Sequence, residues 1–293
     1  MTFSNLDLFI KSLEEAAIHY RIPRKPATAW IIFMAIWSLP WTSAAAPPMA
    51  PPPKAMVLIP GGAYQAGSDP GQAYHMCQRA HPNNCRLRWF IDEKPSRSIF
   101  IDAFQMDRYE VTQHDFQQVM GFNPSEFKGS GLPVERVTWE EARQFCRKVG
   151  KRLPTEAEWE RAARGDAKTA FPWGNRMATQ RANICDRHCP KRWRETSIND
   201  GFATTAPVGS YPPNAFGLYD MVGNVYEWVA DGYSKDIYST RPSKNPRGPA
   251  GGASKKVIRG GSWINFSVGA RPADRTEADP DERMDFTGFR CAR

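Results

Sequence analysis

Six cysteines downstream of an apolar N-terminal segment set the strongest limit on how this chain can fold. Residues 21–48, RIPRKPATAWIIFMAIWSLPWTSAAAPP, carry a basic flank, an apolar run from Ala29 to Leu39, and then small residues. The run is shorter than the ~20 residues of a comfortable membrane span. It fits a secretory h-region followed by a small-residue cleavage site, with Ser43 and Ala45 at the −3 and −1 positions. The sequence therefore predicts an export signal over 1–46 and a secreted or periplasmic protein, held at a membrane only if that segment stays uncleaved. Residues 47–54 hold the PPMAPPP run, a stiff extended spacer, and one domain is expected over 55–293. In an oxidising compartment an even cysteine count predicts three disulfides, though sequence alone permits fifteen pairings. The close pairs Cys77/Cys85 and Cys185/Cys189 suggest local loop staples, which leaves Cys146 with Cys291. A transition-metal cage from His75, Cys77, His81, Cys85 and His188 would need thiolates, and in an exported chain oxidised sulfur is the expected state.

Hydrophobic residues make up 41% of the 293, enough for a core. With Trp 10, Gly 22 and Pro 25, the mix suits a loop-rich α+β domain in which aromatic rings pin irregular backbone. The net charge of +8 could meet anions. No long Lys/Arg run and no nucleic-acid motif occurs, so a solvated basic face is expected and no nucleic-acid partner. No period of 20–50 residues repeats.

About three capped helices are legible from residue spacing. VTWEEARQFCRKVGK has Thr138 as N-cap and Glu141 three residues on, with Ala142, Phe145, Cys146 and Val149 on one face and Gly150 as the stop. PTEAEWERAARG repeats the pattern with Thr155, Glu158 and Gly165. VTQHDFQQVMG places Thr112 in the same role, with Phe116, Val119 and Met120 turned inward. AMVLIPGGAYQAGS, RSIFIDAFQMDRYEVT, KVIRGGSWI and GFRCAR read as short strands.

Four segments, GKRLPTEAEWERAARG (150–165), NAFGLYDMVGNVYEWVAD (214–231), KVIRGGSW (256–263) and GFRCAR (288–293), resemble the formylglycine-generating, sulfatase-modifying factor family in type and order. The likeness runs from about residue 56 to 293 and is supported by LIPGGAYQAGS and DRYEVTQHDF. It implies an α+β, C-type-lectin-like FGE-sulfatase fold with few short strands, two structural Ca²⁺ sites, and a disulfide joining Cys146 to Cys291. One calcium site would use Asn183, the Ile184 carbonyl, Asp200 and the Phe202 carbonyl. The other would use Asp220, the Gly223 and Val225 carbonyls, and Glu227. The second matches what Ca²⁺ wants, six to eight oxygens of mixed type, because DMVGNVYE offers Asp220, Asn224 and Glu227 within one turn-rich run.

The family prototypes oxidise a substrate cysteine to an aldehyde using two thiols that hold Cu(I). Counted from Ser262, those positions are Asn265 and Ala270. Soft thiolates select Cu(I); an amide and a methyl do not, so copper chemistry is not expected. The iron-dependent branch is not expected either, because the five histidines show no HxH or HExxH spacing. Two branches remain: a binding or assembly module, and an exported oxidoreductase acting on a small molecule, as in maturation of siderophore chromophores, or on a protein substrate. Either would work through Ser262–Arg283. Ser262 would form the floor of a groove lined by Trp263, Asn265, Phe266, Arg271, Asp274 and Arg275, suited to planar or anionic groups. The plain alternative pairs Arg271 and Arg275 with Asp274, Glu277 or Asp279 and puts Trp263 and Phe266 in the core.

Overall fold

The computed structural model describes residues 56–249 and 253–293. The export segment and spacer read at 1–54 lie outside the described residues. Helices and short strands are mixed, and long loops connect them. Strands β1 (Met56–Ile59) and β4 (Phe104–Asp107) pair antiparallel, as do β2 (Gly62–Ala66) and β3 (Arg97–Ile101). Strand β5 (Tyr226–Gly232) sits in a four-stranded sheet with β6 (Lys256–Arg259), β7 (Arg275–Ala278) and β8 (Thr287–Gly288), in the order β7-β6-β5-β8. Only the β5–β8 pairing there is parallel.

The helices form where their caps predict. In α3 (Trp139–Lys148) the Thr138 hydroxyl accepts the Glu141 N–H and Glu141 accepts the Thr138 N–H. Thr155 and Glu158 make the same reciprocal pair in α4 (Glu156–Arg164). Thr112 caps α2 (Gln113–Met120). Each box satisfies donors that a helix start leaves unpaired. Of the inward residues expected on α2, Phe116 is fully buried whereas Val119 and Met120 are half-buried.

Two elements depart from the sequence reading. An extra helix, α1 (Pro70–Ala80), follows β2, capped by the Asp69 carboxylate with Pro70 at its first position. Its signal is the Asp-Pro pair: an acceptor followed by a residue that needs no N–H partner. GFRCAR is not a continuous strand. Its start pairs as β8, and Ala292 then bridges Met106 and Arg152 singly. A fifth, short helix, α5, spans Ile237–Thr240.

All six cysteines are paired, as Cys77–Cys85, Cys146–Cys291 and Cys185–Cys189. Cys146 and Cys291 lie in the core that Phe116, Phe145 and Phe289 fill, with ring centroids of Phe145 and Phe289 5.3 Å apart. Both sulfurs of the Cys77/Cys85 pair are oxidised, so the thiolate cage weighed at His75, His81 and His188 has no thiolates to offer. Among the described residues no helix is long and apolar enough to cross a membrane.

Candidate functional site

Strand β6 delivers Arg259 into the interior, Gly260 and Gly261 turn the chain, and β7 returns beside it from Arg275. Both glycines hold positive φ, and a Cβ on Gly261 would lie 2.6 Å from the Ala270 Cα, so the turn is packed shut against the segment that follows it. The result is not an open groove. Ser262 is fully buried, and Trp263, Asn265, Phe266, Arg271, Asp274 and Arg275 are all buried as well. Trp263 packs in the core, its Nε1 donating to the Asp285 carbonyl at 3.2 Å. Phe266 packs with Phe90 and the Cys77–Cys85 pair.

The arginines are counterions of the frame. Arg271 makes a two-pronged contact with Glu93 at 2.9 and 2.6 Å, and Asp274 stands 3.8 Å away. Arg275 grips Glu156 at 2.6 and 3.1 Å and lies 3.7 Å from Asp92. Arg259 reaches Glu160 at 3.2 Å and Glu156 at 3.5 Å. Burial pushes the Glu156 carboxyl up, but the Arg275 and Arg259 charges outweigh it and bring it down to about 2. The partners are therefore Glu93, Glu156 and Asp92, with Asp274 as the plain alternative expected, and not its Glu277 or Asp279; Glu277 meets Lys255 instead, at 3.7 Å.

What remains of the expected groove is a small pocket between the Trp89–Phe90 turn, Phe266 and the start of β7. Its polar end holds Asn265, Tyr226 and Asp274. The Asn265 amide is fixed from both sides: Oδ1 accepts the Ser262 N–H (3.0 Å) and hydroxyl (2.7 Å), and Nδ2 donates to the Tyr226 hydroxyl at 2.9 Å. Burial, with Glu93 adding to it, pushes the Asp274 carboxyl well above the usual carboxylate range, against the pull of Arg271. Burial also raises the Tyr226 phenol, with the Asp274 charge second.

Copper does not fit here. Every sulfur in the sequence's cysteines is spent in a disulfide, Asn265 has its amide engaged, and Ala270 is core. Cu(I) has no soft donor at either position.

Calcium fits better. Among the described residues no three His, Cys, Asp or Glu side chains cluster to hold a metal, but a calcium shell draws much of its oxygen from backbone and amides. The structure brings Asn183, Ile184, Asp200 and Phe202 together. Asp200 accepts the Ile184 N–H and the Phe202 N–H, both at 2.9 Å. Asn183 donates its amide to the Thr204 carbonyl and to Asn224, while its buried Oδ1 has no hydrogen-bond partner. Burial pushes the Asp200 carboxyl up to about 7. At the second set, Asp220 and Asn224 hold the left-handed conformation and Gly223 passes so close to Asn183 that a Cβ would meet its carbonyl at 2.2 Å. Glu227 is bound by Arg290 through both oxygens and by the Trp159 Nε1 at 2.8 Å. Glu110, which the motif reading missed, joins them: it accepts the Asn224 amide at 2.6 Å and the Val225 N–H at 3.2 Å. Its only signal is an acid inside DRYEVT, ahead of the α2 cap. Burial and the nearby Asp220 and Glu227 charges push Glu110 well above its usual range. Glu110, Asp220 and Glu227 carry more negative charge than Arg290 offsets.

Comparison with known proteins gives the same frame. The sulfatase-modifying factor enzyme 1-like domain profile matches residues 42–293. The formylglycine-generating enzyme of Mus musculus is 31% identical, over 81% of this chain and 74% of its own length. Inactive C-alpha-formylglycine-generating enzyme 2 of Bos taurus is 33% identical, over 81% of this chain and 87% of its own length. PvdO from Pseudomonas aeruginosa superposes with a TM-score of 0.65 at 28% identity, covering 81% of this chain and 93% of that one. This chain belongs to the FGE-sulfatase family and carries that family's mixed helix and short-strand fold.

Proposed function

We propose that this protein is an exported, calcium-stabilised member of the family that recognises a ligand through the pocket at Asn265, Tyr226 and Asp274 and does not carry out copper-dependent oxidation of cysteine to formylglycine. The observation that carries the reading is the fate of the two thiol positions: Asn265 is locked to Ser262 and Tyr226, and Ala270 is core. A family relative bearing the name inactive C-alpha-formylglycine-generating enzyme 2 is consistent with a frame kept without that activity. Export is supported by the Ala29–Leu39 apolar run and by three disulfides. Calcium at Asn183–Phe202 is supported by the unpaired Asn183 Oδ1, and calcium at Asp220–Glu227 by the surplus carboxylate charge. Its role would be to order loops that have no strand partners. With its arginines committed to glutamates, the pocket offers rings, an amide and a carboxyl that burial pushes up, which suits a flat, uncharged, hydrogen-bonding group better than an anion.

The test is metal analysis of the purified protein, together with oxygen uptake in the presence of a cysteine peptide. Calcium near two per chain and no copper are expected, with no aldehyde on the peptide. Stoichiometric Cu–S binding or aldehyde formation overturns the reading. A second reading, an oxidoreductase acting on a small molecule, is favoured by one observation: a raised carboxyl at Asp274 beside Tyr226 in a small pocket is how a proton donor is built. Ligand-dependent oxygen uptake abolished by Asp274→Asn would select that reading over pure binding.

A further inference from the structure

On another face, α1, the β2–β3 hairpin and the chain leaving α4 enclose a cleft of about 1080 Å³. Its cations differ in how they are used. Arg164 is spent on Glu160 at 2.9 Å and on the Gly67 carbonyl at 2.7 Å. Arg271 is spent on Glu93. Arg161 is not. It is only 5% exposed, its guanidinium stacks 4.8 Å above the Phe216 ring, and it makes two hydrogen bonds, both from Nη1: to the Gly165 carbonyl at 2.7 Å and to Asp166 at 3.0 Å. Its Nε is buried with no partner. A guanidinium has five N–H donors, so the Nε–Nη2 edge, the edge that takes an oxoanion in a two-pronged fork, has no acceptor. The acid beside Arg161, Asp166, is 76% exposed, so it neutralises the buried arginine weakly.

Two further cations line the cleft. Arg79 lies in the last turn of α1 and Lys168 lies just after α4; both are exposed, and neither has an ion-pair partner among the described residues. The rest of the lining is mixed: Gln65 and Ser98, paired across the hairpin, are polar, Tyr64 and Met76 add apolar surface, and Asp69 and Asp166 add two carboxylates.

We propose that this cleft binds a small molecule with two anionic groups, one carboxylate or phosphate group seated on the Nε–Nη2 edge of Arg161 and the other held between Arg79 and Lys168. The proposal is independent of the pocket at Asn265, which lies at the other end of the Arg271 segment and offers neutral chemistry. It is tested by calorimetric titration of the disulfide-intact protein, at physiological ionic strength, with succinate and separately with glucose 1,6-bisphosphate; the first supplies carboxylates and the second phosphates. Saturable one-to-one binding of at least one probe is expected. Arg161→Lys keeps the charge but loses the fork, and it should weaken binding at least about tenfold. The double variant Arg79→Glu/Lys168→Glu changes exposed residues only; it should weaken binding by a similar factor with an unchanged melting temperature. Binding of neither probe, or binding indifferent to all these substitutions, overturns the proposal.

Discussion

Removing the Cys146–Cys291 disulfide should cost this domain far more than removing either of the other two. Crosslinking stabilises mainly by shrinking the unfolded ensemble, and the effect grows with the logarithm of the closed loop. The sequence separations are 145, 8 and 4 residues for Cys146–Cys291, Cys77–Cys85 and Cys185–Cys189. The chain-entropy treatment then gives about 5, about 2.5 and about 2 kcal/mol. Packing adds to each loss without separating the three, because all six cysteines are buried. Cys146 and Cys291 are fully buried among Phe116, Phe145 and Phe289, so truncating both to alanine adds about 1–2 kcal/mol for lost contact. The sum is a large part of the 5–15 kcal/mol a domain normally has. The loss should also reach the site. Cys291 follows Arg290, which binds Glu227, and Tyr226 pairs with Thr287 across β5 and β8. Freeing that terminal segment loosens Tyr226, and with it one of the bonds that fix Asn265. The assay is urea unfolding of the Cys146→Ala/Cys291→Ala, Cys77→Ala/Cys85→Ala and Cys185→Ala/Cys189→Ala variants, each followed by tryptophan fluorescence. The expected order of destabilisation is the order just given. If the first variant loses no more stability than the third, loop length is not what this disulfide contributes.

Installing thiols should create the soft site that the chain lacks: Asn265→Cys/Ala270→Cys is expected to retain one Cu(I) through gel filtration, while the parent protein retains none, and equal copper on both would refute the donor argument. Burial pushes Glu135 from its ordinary 4.5 up to about 7, and its Oε2 has no partner. An acid whose folded value lies above its unfolded one binds its proton more tightly when folded, so the parent should lose stability as pH climbs from about 4.5 to about 7 and stay flat above. Glu135→Gln should remove that slope and gain on the order of 1–3 kcal/mol over the parent above pH 7; parallel stability curves across pH would contradict it. Arg275→Met strips Glu156 of its two-pronged partner while leaving the carboxylate buried, and thermal unfolding should report a loss of about 3–5 kcal/mol; a loss under about 1 kcal/mol would mean that Arg259 and Arg241 carry Glu156 without it.

The legible features were local ones. A capping box needs only residues three apart, so Thr138–Glu141 and Thr155–Glu158 could be read directly, whereas α1 was missed although the Asp69–Pro70 pair carries its start signal. The segment after Ser262 was read by composition, and composition does not report burial. Arg271 finds Glu93 at a sequence distance of 178 and Arg275 finds Glu156 at 119, so a window around the arginines contains Asp274 but not the glutamates that grip them. That difference changes the chemistry and not only the bookkeeping of contacts. An arginine on an open wall is a contact for anions; the same arginine buried against a glutamate is a strut, and its charge is no longer available. Subtracting the struts leaves Asn265, Tyr226 and an Asp274 whose carboxyl burial pushes up. The selectivity we propose for this pocket therefore runs opposite to what its sequence suggests, toward uncharged groups, and the anion site we propose lies instead where an arginine's fork has no acceptor, at Arg161 in the cleft beside α1.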